Sequence, residues 1–221
     1  MEVLIISISD ELNGASKALQ RINNSLNTLN HLNSRMLVYK KISNQENIKE
    51  LKLTFLKKLI FNIKKKLNNY LVGFLYPYKN NSTLFSHNYF SSNEIYNQIK
   101  NEKFDILILG WVNSGIFNFN KIKYISSPIL IVMEDLWYFT GGCHFNFSCE
   151  KFKNGCFKCP FLNSKKIKDL SFRGQKLKNK IYLNNKNLHF IAVSKWLKNV
   201  SDQSKLLKNR KVFYIPNTID T

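Results

Sequence analysis

Four cysteines fall within 17 positions, Cys143, Cys149, Cys156 and Cys159, separated by five, six and two residues. The last pair forms a Cys-x-x-Cys that runs into Pro160. Thiolates at this density suit a tetrahedral Zn²⁺ site that would hold a loop in shape, and His144 could replace one of them. Common zinc motifs carry two Cys-x-x-Cys pairs and here there is one, so paired disulfides and unliganded thiols stand beside zinc as alternatives. The same stretch, Met133 to Pro160, begins with an acid-aromatic cluster that contains Glu134 and Asp135. A carboxylate at a strand end can hold a substrate hydroxyl or act as a base, and it can equally cap a turn. A third place of interest is Asp10-Glu11-Leu12-Asn13-Gly14, where backbone N–H groups and a helix N-terminus can meet an anion, although the G-x-G-x-x-G spacing is incomplete. His31, His87 and His189 have no mutual spacing that suggests a site and read as structural.

These residues need elements to place them, and hydrophobic periodicity supplies candidates. The apolar run from Ile129 reads as a buried strand that delivers Glu134 and Asp135 to its end. Val3 to Ser9 is a β-branched strand that delivers the Asp10 turn. Behind that turn, Ala15, Ala18, Leu19, Ile22, Leu26 and Leu29 share one face of a helix. Met36 to Tyr39 then reads as the returning parallel strand, which completes a βαβ unit. Phe104 to Leu109 is another core strand and ends in Gly110-Trp111-Val112-Asn113-Ser114-Gly115, a second glycine-containing loop. Asn93 to Lys100 and Leu170 to Asn184 read as helices, Leu188 to Val193 as a strand, Ser194 to Ser201 as a helix capped by Ser194, and Val212 to Ile215 as a last strand. Tyr76-Pro77 and Asn80 to Ser82 read as loop. Strands alternating with helices predict a single α/β domain, Rossmann-like and doubly wound, with a largely parallel sheet.

One helix is ambiguous. Leu53 to Leu71 is basic and amphipathic, with Leu56, Leu59, Ile60, Ile63, Leu67 and Leu71 on one side and Lys57, Lys58, Lys64, Lys65 and Lys66 crowded along it. It is either an interfacial helix on anionic lipid or a surface helix whose apolar stripe packs on the sheet.

Composition narrows the partners. The chain has 221 residues, 44% of them hydrophobic, enough to bury a proper core. Lys and Arg total 34 against 14 Asp and Glu, a net charge of +20. Partners are therefore anionic: nucleic acid, a phospholipid surface, or phosphorylated and nucleotide-linked substrates. Heavy use of Lys, Asn and Ile also fits the codon bias of an AT-rich genome. Nucleic acid is the weaker option, because Arg is scarce beside Lys and aromatic residues are not interleaved with Arg. No apolar run reaches the length of a spanning helix, and the N-terminal MEVLIISISDE lacks the basic segment and cleavage site of a signal peptide. A cytoplasmic location is expected, with a peripheral place on the inner face of the plasma membrane as an option. In a reducing compartment clustered cysteines point to metal or thiols over disulfides.

The stretch MEDLWYFTGGCHFNFSCEKFKNGCFKCPFL resembles a motif of bacterial glycosyltransferases of family 4 type, as in colanic-acid and capsule biosynthesis, which reads approximately W-T-x-H-D-M-W-x-F-T-G-G-C-H-Y, then C, then C-x-x-C-P-x-L. Asp105 to Asn113 resembles the family's D-I-I-H-L-H-W-I-N, and Asp169 to Lys176 its D-x-S spacer before a lysine helix. Ala192 to Leu197 resembles A-P-S-x-W-L, and VFYIPNTIDT, Val212 to Thr221, resembles V-x-V-I-P-N-G-I-D-T. The order and spacing span nearly the whole chain.

That resemblance implies the N-terminal, acceptor-side half of a GT-B fold over residues 1–216, with 217–221 beginning the linker to a donor-binding half. It implies transfer of a sugar, with retention, from a nucleotide-sugar donor to a cell-surface glycan or lipid-linked acceptor, and an inactive chain when that half is missing. Glu134 and Asp135 take the catalytic positions. Asp10, Asn13, Gly14, Trp111, Trp137, Thr140, Gly141 and Gly142 take the substrate-binding ones, with the cysteine loop as scaffold. Three positions depart from the pattern: Glu134 stands where the family has histidine, Gly110 stands where a histidine precedes the tryptophan, and Asn13-Gly14-Ala15 stands where two glycines are usual. The alternatives are a non-catalytic basic binding module built around a zinc-knuckle-like loop, and a degenerate half-domain that docks on a membrane.

Overall fold

The computed structural model describes residues 1–75, 84–113 and 115–217, without the side chains of Lys65, Asn69 and 71–75. The loop expected at Tyr76-Pro77 and Asn80 to Ser82, Ser114, and all but the first residue of the expected 217–221 linker lie outside the described residues.

Seven strands form one sheet: β1 (Glu2–Ser9), β2 (Asn33–Lys40), β3 (Ile48–Glu50), β4 (Ile106–Leu109), β5 (Ile129–Met133), β6 (Leu188–Ala192) and β7 (Val212–Tyr214). Their order is β3-β2-β1-β4-β5-β6-β7, and every pairing is parallel. The chain winds outward from β1 in one direction, then returns to lay β4 on the other side of β1. This is a Rossmann-like, doubly wound sheet with its switch point between β1 and β4.

The strands read as continuous apolar runs because both faces of the sheet are covered. In β1, Val3 and Ile5 join Leu19, Met36 and Ile108 in one cluster, while Leu4, Ile6 and Ile8 join the other. Helix α1 (Gly14–Asn27) covers the first face through Leu19 and starts where Asn13 Oδ1 accepts from Ser16 N at 2.9 Å. On the second face lie Ile95 and Ile99 of α3 (Glu94–Ile99), Ile181 and Tyr182 of α4 (Leu170–Asn184), and Leu197 of α5 (Lys195–Asp202). Ser194 caps α5, as its sequence suggests, by accepting from Leu197 N.

Helix α2 (Phe55–Leu75) lies between β3 and β4 in the chain. Its apolar stripe does not pack on the sheet: Leu56, Leu59, Ile60, Ile63 and Leu67 are all at least 40% exposed. Other residues hold the inner face. Phe61 is buried and stacks on Tyr39 with ring centroids 4.4 Å apart. Asn68 is buried too and trades two hydrogen bonds of 3.1 Å with the backbone of Phe90.

Candidate functional site at the carboxyl edge of the sheet

The ends of β1, β4 and β5 meet at the switch point and bring the sequence-derived residues to one edge, but in different roles. Asp10 is fully buried and turned sideways. Its Oδ1 accepts from Ile42 N and its Oδ2 from Ser43 N, both at 2.9 Å. Burial by itself would raise the pKa of this carboxyl. The bonds from Ser43 and Ile42 outweigh it and hold the pKa below the ordinary value. Asp10 thus straps the β2–β3 connection to the end of β1. Asn13 is committed to capping α1, whereas Gly14 faces open space, with nothing within 4 Å of where a Cβ would stand.

Trp111, half-buried after β4, donates from Nε1 to Asp135 Oδ2 at 3.1 Å. Gly110, at the position of the family histidine, is a packing residue: a Cβ there would stand 1.9 Å from Leu19 Cδ1. Its carbonyl accepts from the Tyr138 hydroxyl.

Asp135 is tied by three groups. Its Oδ1 accepts from Trp137 N at 2.8 Å and so caps the 3₁₀ turn Leu136–Phe139. Its Oδ2 meets both Trp111 Nε1 and His144 Nδ1, the latter at 2.5 Å. His144 is itself buried, and its Nε2 lies 3.0 Å from Ser86 Oγ. Ser86, His144, Asp135 and Trp111 thus form one chain of polar contacts at the ends of β4 and β5.

Glu134 is different. Its Oε2 accepts from Asn217 Nδ2 at 3.0 Å, and its Oε1 is buried with no hydrogen-bond partner among the described residues. Burial raises the pKa of this carboxyl; the Asn217 bond opposes the rise and the neighbouring Asp135 charge adds to it. A carboxylate oxygen left this way can accept a hydrogen bond from a ligand hydroxyl.

Trp137, Thr140, Gly141 and Gly142, expected on the substrate side, are buried in the scaffold. Trp137 Nε1 donates to Ser86 O at 2.8 Å, and Thr140 Oγ1 donates to Cys143 O at 2.7 Å. Gly141 lies against the start of α4, where a Cβ would stand 2.7 Å from Ser171 Cα. Gly142 has φ +146°, a conformation that favours glycine, and its carbonyl accepts from Ser86 N. Lys178 clamps this turn from α4. Its buried Nζ donates to Trp137 O and to Thr140 O and sits 3.8 Å from the centre of the Trp137 ring. Burial lowers its pKa from 10.5 to about 7.

The four cysteines are all free, three of them buried, and all four line one cavity of about 20 Å³ together with Phe85, Phe152 and Phe161. Burial, with the proximity of other cysteines, pushes Cys143 up to about 12 and Cys159 to about 11, and raises Cys156 as well. A zinc ligand has to be a thiolate, so a bound cation would have to offset this rise. Among the described residues no group of three or more His, Cys, Asp or Glu side chains is set to hold a metal ion. The loop is held by protein groups: Cys156 N donates to Gln175 Oε1 at 2.6 Å, and Cys159 N to Asp169 Oδ2 at 2.8 Å.

Sequence reasoning did not place His144, Ser86, Lys178 or Asn217 at this edge. Their contacts join positions 9 to 83 residues apart, and no local spacing announces them.

Fold and site together define a Rossmann-like α/β domain with an acid-aromatic cluster at the switch point of its sheet. No helix among the described residues is long and apolar enough to cross a membrane. No known protein family matches the chain, and neither a curated protein nor a solved structure matches it significantly.

Proposed function

We propose that this domain is the acceptor-binding half of a GT-B glycosyltransferase. It would work with a donor-binding half to move a sugar from a nucleotide-sugar to a glycan or lipid-linked acceptor. The observation that carries the proposal is Glu134 beside Asp135 at the end of β5: one carboxylate is immobilised by three donors, and its neighbour keeps an oxygen without a partner. The motif likeness selects glycosyl transfer among the many chemistries such a sheet supports.

In this reading Asp135 is a positioning residue. It fixes the indole edge of Trp111, whose face offers an apolar platform for a sugar ring. Glu134 is the group left to accept a hydrogen bond from the acceptor hydroxyl. That hydroxyl attacks the anomeric carbon, its proton passes to the departing diphosphate oxygen, and the bond between the sugar and the nucleoside diphosphate breaks. A carboxylate at position 134 repels the diphosphate where an imidazolium would attract it, so Glu134 serves the acceptor and charge neutralisation falls to the donor half.

The purified chain should turn over no nucleotide-sugar by itself. It should show saturable quenching of tryptophan emission by a lipid-linked saccharide, abolished by Trp111→Phe. Turnover by the chain alone refutes the half-enzyme reading, and absence of saccharide binding refutes the acceptor assignment.

A further inference from the structure

The exposed face of α2 lies outside the candidate site. Leu56, Leu59, Ile60, Ile63, Leu67 and Tyr70 follow one another at helical spacing and are 64%, 47%, 44%, 48%, 40% and 60% exposed. The helix cannot roll to hide them. Phe61 is packed against Tyr39, Asn68 is bonded to Phe90, Lys57 Nζ lies 2.8 Å from Glu94 Oε2, and Lys64 Nζ reaches Ser91 O. At 1.5 Å per residue the stripe from Leu56 to Tyr70 runs about 20 Å along the helix. An apolar stripe of that extent left in water on a monomer marks a contact surface.

Charge selects the partner. No Asp or Glu occurs between Glu50 and Glu94, and that interval carries seven lysines. On a helical projection Lys57 and Lys64 border the stripe on one side and Lys66 borders it on the other. A second copy of this chain would bring the same lysines against them, and an acidic protein would leave the apolar stripe unmatched. A sheet of phosphate headgroups above acyl chains answers both.

We propose that α2 is an in-plane membrane-docking helix for anionic phospholipid. Leu56, Leu59, Ile60, Ile63 and Leu67 enter the boundary between headgroups and acyl chains, and the flanking lysines rest among the phosphates. The surface is built from residues outside the cleft and stands whether or not the glycosyltransferase reading does. It places the carboxyl edge of the sheet within reach of substrates that are themselves held in the bilayer.

The test is flotation of the full chain with vesicles of phosphatidylcholine alone and with about 30% phosphatidylglycerol added. Binding is expected to the anionic vesicles only and to weaken with added salt. Ile60→Ser/Ile63→Ser and Lys66→Glu should each reduce partitioning by about tenfold or more. Circular dichroism confirms that the variants, all at exposed positions, keep the fold. Equal flotation with neutral vesicles, or unchanged partitioning of folded variants, overturns the proposal. So does a dimer in solution that Ile60→Ser/Ile63→Ser dissociates, since it assigns the stripe to a second copy.

Discussion

Replacing Lys178 by Met tests how the TGGC turn is held. The lysine is buried beneath Trp137, and burial takes its pKa from 10.5 to about 7. That difference corresponds to about 5 kcal/mol between the protonation states. Because the folded pKa lies below the unfolded one, the stability from the neutral amine is fully present above 10.5 and is lost as pH falls towards about 7; below that the loss is constant. Between about pH 9.5 and about pH 7 the native protein therefore loses about 3 kcal/mol that the Met variant does not. Near about pH 7 the variant escapes the cost of the buried charge but leaves Trp137 O and Thr140 O without a donor, at about 1–3 kcal/mol each. The two proteins should then lie within about 2 kcal/mol of each other, with the native chain pulling ahead as pH rises. Urea unfolding followed by tryptophan emission at both pH values measures the difference, and contributions common to both proteins cancel. Parallel stabilities across the range would refute the reasoning, because they mean that the carbonyls and the indole face keep Lys178 at an ordinary pKa.

Gly141→Ala drives a methyl into the backbone of Ser171, so the urea midpoint should fall by the equivalent of about 1–3 kcal/mol or more. Glu134→Gln should stabilise the fold at neutral pH and lose that advantage in acid. The raised pKa favours the neutral carboxyl, whose contribution is present below the unfolded pKa and is lost as pH rises through the folded one; a thermal midpoint measured at both ends decides it. His144→Ala removes a partner from Asp135, so the Trp111 indole N–H resonance should move and stability should drop by about 1–3 kcal/mol. An unmoved resonance would mean that Asp135 holds Trp111 without the histidine.

Runs such as Ile129–Met133 are legible because a parallel strand buried on both faces leaves no room for polar residues. The cap at Ser194 is legible because it acts within three residues. β3 is missed: it is three residues long, Ile48-Lys49-Glu50, with one side chain buried. Its existence depends on β2 as a partner. The turn at Asp10 is found but its carboxylate points to Ile42 and Ser43, and only the returning chain reveals that. The amphipathic pattern of α2 is plain, yet periodicity cannot say which face looks inward. Phe61 and Asn68 decide it through partners at Tyr39 and Phe90. For the same reason the contact of His144 with Asp135 shows only in the fold.

The position of β1 has a consequence for how the molecule comes together. Its neighbours in the sheet are β2, close in sequence, and β4, where Val3 faces Ile106, about 100 positions along the chain. A nascent chain can form the β1-α1-β2 unit early, but one edge of β1, with Ile5 and Ile6 at its centre, then waits until Leu109 has been made. Closing so long a loop costs entropy before any contact rewards it, so refolding from denaturant should run in the millisecond-to-second range of non-local topologies. During synthesis, that waiting edge is the surface a holding chaperone would find.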